Sequence, residues 1–204
     1  MFSNLYNFIS SQFSNPRGGF GSFITLFMNK MNNKQYKSIL DNIDIKNNDA
    51  VLDIGFGNGY VIEKILKKNP KKAYGIDISQ DMLKTTSKKL KSDINSGKLD
   101  LKIANVKDLP YDEDFFNKIY TINTMYFWDE PVKSFKEIKR CLKTDGIFLN
   151  AFLSKDFLLK TKFTENNFNK YTIDEVKEMM NKADLEIIDI IEISKNRMYC
   201  IISK

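Results

Sequence analysis

Val51-Leu52-Asp53-Ile54-Gly55-Phe56-Gly57-Asn58-Gly59-Tyr60 is the stretch on which the fold of this chain turns. Ala50–Ile54 reads as a short buried strand that delivers the chain to three alternating glycines, where backbone can approach a ligand without interference from a Cβ. A helix with apolar positions Val61, Ile62, Ile65 and Leu66 follows at once and closes before Pro70. Its free N–H groups therefore face the crevice above the strand. At the end of the next strand, in Tyr74-Gly75-Ile76-Asp77-Ile78-Ser79, Asp77 suits an acid that accepts hydrogen bonds from ribose hydroxyls. A lone glycine loop would be weak evidence. A loop, a second-strand acid and strand–helix alternation together are strong.

Outward from this centre the alternation continues. Tyr36, Ile39, Leu40 and Ile43 have amphipathic helix spacing over about 33–42. Lys72–Ile76 is the second strand, and Ser79 can cap a helix through about Ser96, with Gly97 just past its end. Leu99–Ala104 and Lys118–Ile122 are further strands, Glu130–Leu142 is a helix, and Gly146–Phe152 is the fifth strand. Thr172 and Glu175 form a capping box for a helix through about Asp184. Leu185–Ile191 and Arg197–Ile202 can pair with each other. The expected architecture is a doubly wound, Rossmann-like α/β fold: a mostly parallel seven-stranded sheet with a C-terminal antiparallel hairpin and helices on both faces.

The 204 residues are 42% hydrophobic and 13% aromatic, which is enough for one sizeable core and excludes wholesale disorder. No apolar run approaches the roughly 20 residues that span a bilayer. The opening MFSNLYNFIS lacks the basic start and long apolar stretch of a secretory signal, so a cytoplasmic protein is expected. There is no histidine, and Cys141 and Cys200 make no CxxC pair. This argues against a disulfide scaffold, a Cys/His zinc site and a Ser–His or Cys–His dyad; no metal is expected. The net charge of +6 is carried mainly by lysine, since Arg17, Arg140 and Arg197 are the arginines. Those lysines are dispersed, and the group Lys88, Lys89, Lys91 is interrupted by Leu90. A solvated lysine surface explains this better than a nucleic-acid partner.

Two cofactor classes compete for the glycine loop. A nicotinamide dinucleotide usually needs GxGxxG, but Tyr60 occupies the third position and Gly59 comes one residue early. Asp53 would also repel a pyrophosphate, whereas it suits a ligand with a positive centre and an amino group. S-adenosylmethionine has both, and no phosphate. In these residues the chain resembles a class I S-adenosylmethionine-dependent methyltransferase of the small-molecule, type 11-like group, from about Val51 to Phe152. The resemblance implies that Asp53, Gly55, Gly57 and Gly59 form the first cofactor loop and that Asp77 binds the ribose. It implies that Ile78 and Met82 pack on the adenine, that Asn105 and Val106 read its edge, and that Asn123 gives a backbone contact to the methionine part. S-adenosylhomocysteine would be the product. Asn105 stands where the family commonly has Asp. Asn117 replaces the second residue of its usual FD, and Leu142-Lys143-Thr144-Asp145-Gly146 departs from LKPGG.

The implied activity is methyl transfer to a small, apolar or aromatic acceptor by direct in-line displacement. The alternatives are an RNA or protein methyltransferase, or a non-catalytic S-adenosylmethionine-binding module. No catalytic base is identified. Acceptor-pocket candidates are Phe20, Tyr126 and Trp128, from the phenylalanine-rich segment around Pro16–Gly21 and from the stretch after the fourth strand. A single domain over 1–204 is expected, with 1–45 a helical lid on the acceptor side, 46–152 the cofactor core and 153–204 a helix and hairpin. A peripheral membrane contact through the N-terminal phenylalanines, Arg17 and Lys30 is a further use open to that lid.

Overall fold

A computed structural model describes residues 32–161 and 168–204. The segment 1–30 read as a lid, with Phe20, lies outside them. In chain order the elements are α1 (32–42), β1 (Ala50–Ile54), α2 (Tyr60–Leu66), β2 (Lys72–Asp77), α3 (Gln80–Lys89), α4 (Lys91–Asn95), β3 (Leu99–Ile103) and β4 (Phe116–Ile122). A 3-10 turn (Met125–Phe127), α5 (Pro131–Cys141), β5 (Leu142–Leu153), α6 (Lys155–Leu159), α7 (Ile173–Asn181), β6 (Ile187–Ser194) and β7 (Met198–Ser203) complete it.

The sheet runs β3-β2-β1-β4-β5-β7-β6. β1 to β5 are mutually parallel, and β7 is antiparallel to both β5 and β6. The doubly wound expectation holds, with the hairpin's second strand inserted between β5 and β6. Alternate side chains build a core on each face. Leu52, Ile119 and Phe148 meet Phe135 and Ile138 of α5 and Val176 of α7, while Val51, Tyr120 and Leu149 meet Ile39 of α1 and Ile65 of α2. β6 is the outer edge, and there Ile188 is 51% exposed.

Several boundaries differ from the sequence reading, three of them for a visible reason. The helix begun by Ser79 breaks at Leu90, whose φ of −107° and ψ of 30° leave the helix, and which packs into a cluster with Ile62, Ala73 and Leu99. α7 ends at Asn181 because Asp184 takes a positive φ of 57° and Leu185 donates back to the Met180 carbonyl at 3.1 Å. That is a left-handed helix stop with Asp in the place of the expected glycine. β5 starts at Leu142, before the expected Gly146, with an irregular register opposite Phe116 and Lys118. The departures from FD and LKPGG meet here: Asn117 Oδ1 accepts the Ala50 N–H at 3.0 Å and the Lys143 ammonium at 3.3 Å. α6 has no counterpart in the sequence reading; Ser154 caps it by accepting the Phe157 N–H. Among the described residues no helix is long and apolar enough to cross a membrane.

Candidate functional site

Strand order reverses between β1 and β4, and chains leaving such a switch point part to open a crevice. A cleft opens there, walled by the glycine loop, the ends of β1, β2 and β4, the segment after β3, and Asn32 and Tyr36 of α1. The loop is held by backbone bonds. Gly55 donates to the Ile76 carbonyl at 2.8 Å and Gly59 to that of Phe56 at 2.9 Å. A Cβ on Gly55 would stand 2.4 Å from Thr124 Cγ2, at a φ of +80°. A Cβ on Gly57 would meet nothing within 4 Å, so this wall residue leaves open space. Gly59, which the motif assigns to the first cofactor loop, has a structural place of its own. It is not a wall of the cleft but the left-handed cap of α2, pressed on Thr86.

Asp77 sits at the end of β2, as the motif predicts. Its Oδ2 accepts the Gly57 N–H and its Oδ1 the Ser79 N–H, both at 2.9 Å. Burial raises its carboxyl above the usual carboxylate range despite these bonds. Asp53, 4% exposed, is the second carboxylate in the wall. Burial pushes it up to about 7, Tyr120 pulls it down through a hydrogen bond, and the nearby Asp77 pushes it up. Ile78 is half-exposed, while Met82 and Val106 are buried, and all three line the cleft. Asn105 lines it as well, with Oδ1 turned to the Lys107 N–H at 3.1 Å. The loop carrying these residues is clamped by α5: the Arg140 guanidinium donates to the Tyr111 and Leu109 carbonyls, and Glu137 accepts the Leu109 N–H.

Asn123 is in the wall, at a φ of 57°, but its side chain turns up into α1. Nδ2 donates to Asn32 Oδ1 at 3.0 Å and to Gln35 Oε1 at 2.9 Å, while Oδ1 accepts from Gln35 Nε2 at 2.8 Å. Tyr126 also joins this network and so departs from its acceptor-pocket expectation. It is 2% exposed, is not among the walls, and its hydroxyl donates to Asn123 Oδ1 while accepting the Leu153 N–H. Trp128 and its neighbour Phe127 do line the cleft.

Sequence reasoning missed Asn32 and Tyr36 in the wall and Gln35 beneath them. One signal was present: Gln35 falls on the 35–39–43 stripe, an amide in an apolar row. Among the described walls there is no Lys or Arg. Lys107 lies two residues beyond Asn105, and its ammonium is engaged by Asp129 at 2.5 Å and Glu130 at 3.2 Å. Among the described residues, no group of three or more Cys, Asp or Glu side chains could hold a metal ion.

Known proteins match the same segments. Residues 52–150 match the family described as a methyltransferase domain. An uncharacterized methyltransferase of Bacillus subtilis, YdaC, is 30% identical over 52% of this chain and 58% of its own length. The tRNA U34 carboxymethyltransferase of Campylobacter fetus is 29% identical over 70% of this chain and 53% of its own. The chain thus spans little more than half the length of these relatives. An S-adenosylmethionine-dependent methyltransferase from Aquifex aeolicus shares the fold with a TM-score of 0.72 at 18% identity, covering 89% of this chain and 96% of that one. The family match falls on the segments that build the cleft, so residues 52–150 resemble a methyltransferase domain in sequence, and the architecture is shared with an S-adenosylmethionine-dependent methyltransferase.

Proposed function

We propose that the cleft holds S-adenosylmethionine and that the chain directs its methyl group to a small apolar or aromatic acceptor by in-line displacement. The observation that carries this reading is electrostatic. Two carboxylates, the buried Asp53 and the half-buried Asp77, share a cleft whose described walls hold no cation. Such a site complements a ligand that brings positive charge, and it repels a pyrophosphate. Asp77 has lone pairs left for ribose hydroxyls after accepting two N–H groups, and Asp53 suits the amino group. Ile78, Met82 and Val106 offer an apolar slot for the adenine, Asn105 its edge, and Gly57 the space beside the loop. Asn123 would act from its backbone, since its side chain is committed to α1.

When bound, the cofactor supplies a methyl group already activated by a sulfonium. The protein's own task is placement, which can lower a barrier by roughly 7–11 kcal/mol, and exclusion of water. Tyr36 from α1, and Phe127 and Trp128 from the segment after β4, put aromatic surface in the walls of the cleft, suited to an apolar acceptor. From the sequence alone, we propose that residues 1–30 serve the acceptor as a lid. Deleting them should keep S-adenosylhomocysteine binding and abolish transfer; full turnover by the folded truncation would end the lid assignment.

An RNA acceptor is the second reading, favoured by the similarity to a tRNA U34 carboxymethyltransferase and by the net charge of +6. Against it stand the cation-free walls and the engaged Lys107. The deciding experiment supplies methyl-labelled cofactor and a cell extract, then separates small molecules, RNA and protein. Label in the small-molecule fraction is expected. Label confined to RNA would replace the acceptor reading, and calorimetric binding of NAD without S-adenosylhomocysteine would overturn the cofactor.

A further inference from the structure

We infer that Tyr120 is a positioning residue: its hydroxyl fixes the Asp53 carboxylate to receive the amino group of the bound cofactor. This rests on the cofactor reading above and adds a residue that no motif identifies.

The register of the sheet creates the pair. β4 lies parallel to β1 with Tyr120 opposite Asp53, and both point to the α1 face. There Tyr120 is fully buried, beside apolar residues such as Val51, Ile39 and Leu149. Its hydroxyl donates to Asp53 Oδ2 at 2.7 Å. Phenylalanine would fill that volume without a polar atom to satisfy, so packing alone gives no reason for the oxygen. What the hydroxyl supplies is a donor on the strand side of a buried carboxylate. The bond restrains the rotation of Asp53 and favours its ionised form in a place where burial opposes ionisation. The carboxylate is thereby aimed, and drawn toward its charged form, before any ligand arrives.

Asp53 is faced by Tyr120 from β4, by Asp77 from β2 and by Tyr36 from α1, and Tyr36 in turn stacks on Tyr60 of α2. Asp77 and burial push Asp53 toward its neutral form, and Tyr120 works against both. The balance, at about 7, leaves the charge of this wall sensitive to the loss of one hydroxyl.

The test compares two probes by calorimetry from about pH 5.5 to about pH 8.5, the range in which such a carboxyl changes charge. S-adenosylhomocysteine carries the amino group; methylthioadenosine carries the same nucleoside without it. Wild type should bind S-adenosylhomocysteine more tightly as pH rises through about 7, with methylthioadenosine nearly flat. In Tyr120→Phe the S-adenosylhomocysteine affinity should fall about tenfold at neutral pH, as for a lost bond to a charged group, and recover only at higher pH. Methylthioadenosine should change less than about twofold, because no group it contacts is altered. Asp53→Asn should abolish the pH dependence, and adding Tyr120→Phe to it should have no further effect. Superimposable S-adenosylhomocysteine curves for wild type and Tyr120→Phe would overturn the inference. If Tyr120→Phe does not fold, a pH-independent ratio of the two affinities in wild type does so equally. Carbon-13 titration of the Asp53 carboxyl in the free protein separates the two levels. An upward shift in Tyr120→Phe without binding of either probe would sink the cofactor reading, and the inference with it. Binding of both probes with no such shift would sink the inference alone.

Discussion

The two ends of the cleft are joined by different kinds of bond. At the glycine-loop end the contacts run from backbone N–H to carboxylate or carbonyl: Gly57 and Ser79 to Asp77, Gly55 to Ile76. At the α1 end they run from side chain to side chain, through Asn32, Gln35, Asn123 and Tyr126. A backbone contact depends on chain path and tolerates any side chain that permits the path. An amide network depends on each member, because removing one strands the others in a buried place. The loop end should therefore fail through conformation and the α1 end through unpaired polar atoms.

The largest effect is expected from Gly55→Ala. The new Cβ would meet Thr124 Cγ2, and Thr124 cannot readily swing away because its hydroxyl pairs with Thr121 Oγ1 at 2.5 Å. Strain from the positive φ and overpacking together should reduce the unfolding free energy by about 3 kcal/mol in urea titrations. A loss below about 0.5 kcal/mol, the ordinary level for a neutral surface change, would mean the loop path is not conformationally fixed.

Asp77→Ala should weaken S-adenosylhomocysteine binding by about 2 kcal/mol, the scale for stranding donors in a closed site. Unchanged affinity by calorimetry would move the ribose contact elsewhere and leave Asp77 as a loop brace.

Asp53 tests the same end through pH. Its carboxyl ionises at about 7 in the folded chain and at the usual 3.8 when unfolded, so between those values the folded state holds the extra proton. Stability must then fall as pH rises through that window. Asp53→Asn, which cannot ionise, should be more stable than wild type above about pH 7, without ligand. The gap should close toward about pH 4, where both chains are neutral at this site. Equal denaturation midpoints at all pH values would show that Asp53 carries no burial cost.

The smallest effect belongs to the α1 end. Gln35→Ala removes two hydrogen bonds to Asn123 and should cost about 1 kcal/mol of stability, while methylthioadenosine affinity stays unchanged. Coupling between Gln35 and Asn123 in a double-mutant cycle would confirm the network, and strict additivity would dissolve it.

This contrast also explains what could be read in advance. The doubly wound, mostly parallel sheet and the places of Gly57 and Asp77 at its strand ends were legible because spacing along the chain encodes a backbone path. Tyr126 was misjudged because an aromatic next to a predicted cleft gives no sign of whether its hydroxyl finds Asn123 and Leu153 in the interior. Tyr120 was passed over since a tyrosine in an apolar strand looks like packing, and its partner is fixed only by parallel register with β1. The stop of α7 was overrun because Asp184, not glycine, takes the left-handed position. Side-chain partnerships across the sheet have no local signature.

The insertion of β7 between β5 and β6 has a consequence for the order in which the molecule is made. A ribosome delivers β6 first, yet β6 can enter the sheet only through β7. Until residues 198–203 emerge, the outer rim of β5 stays open and the isoleucines of β6 have no strand to lie against. Such an unpaired stretch is what holding chaperones grip and what sticks to its neighbours in a crowded cell. The parallel strands β1 to β4 need none of these later residues to pair, so a nascent chain can close its glycine loop while its C-terminal third is still a liability.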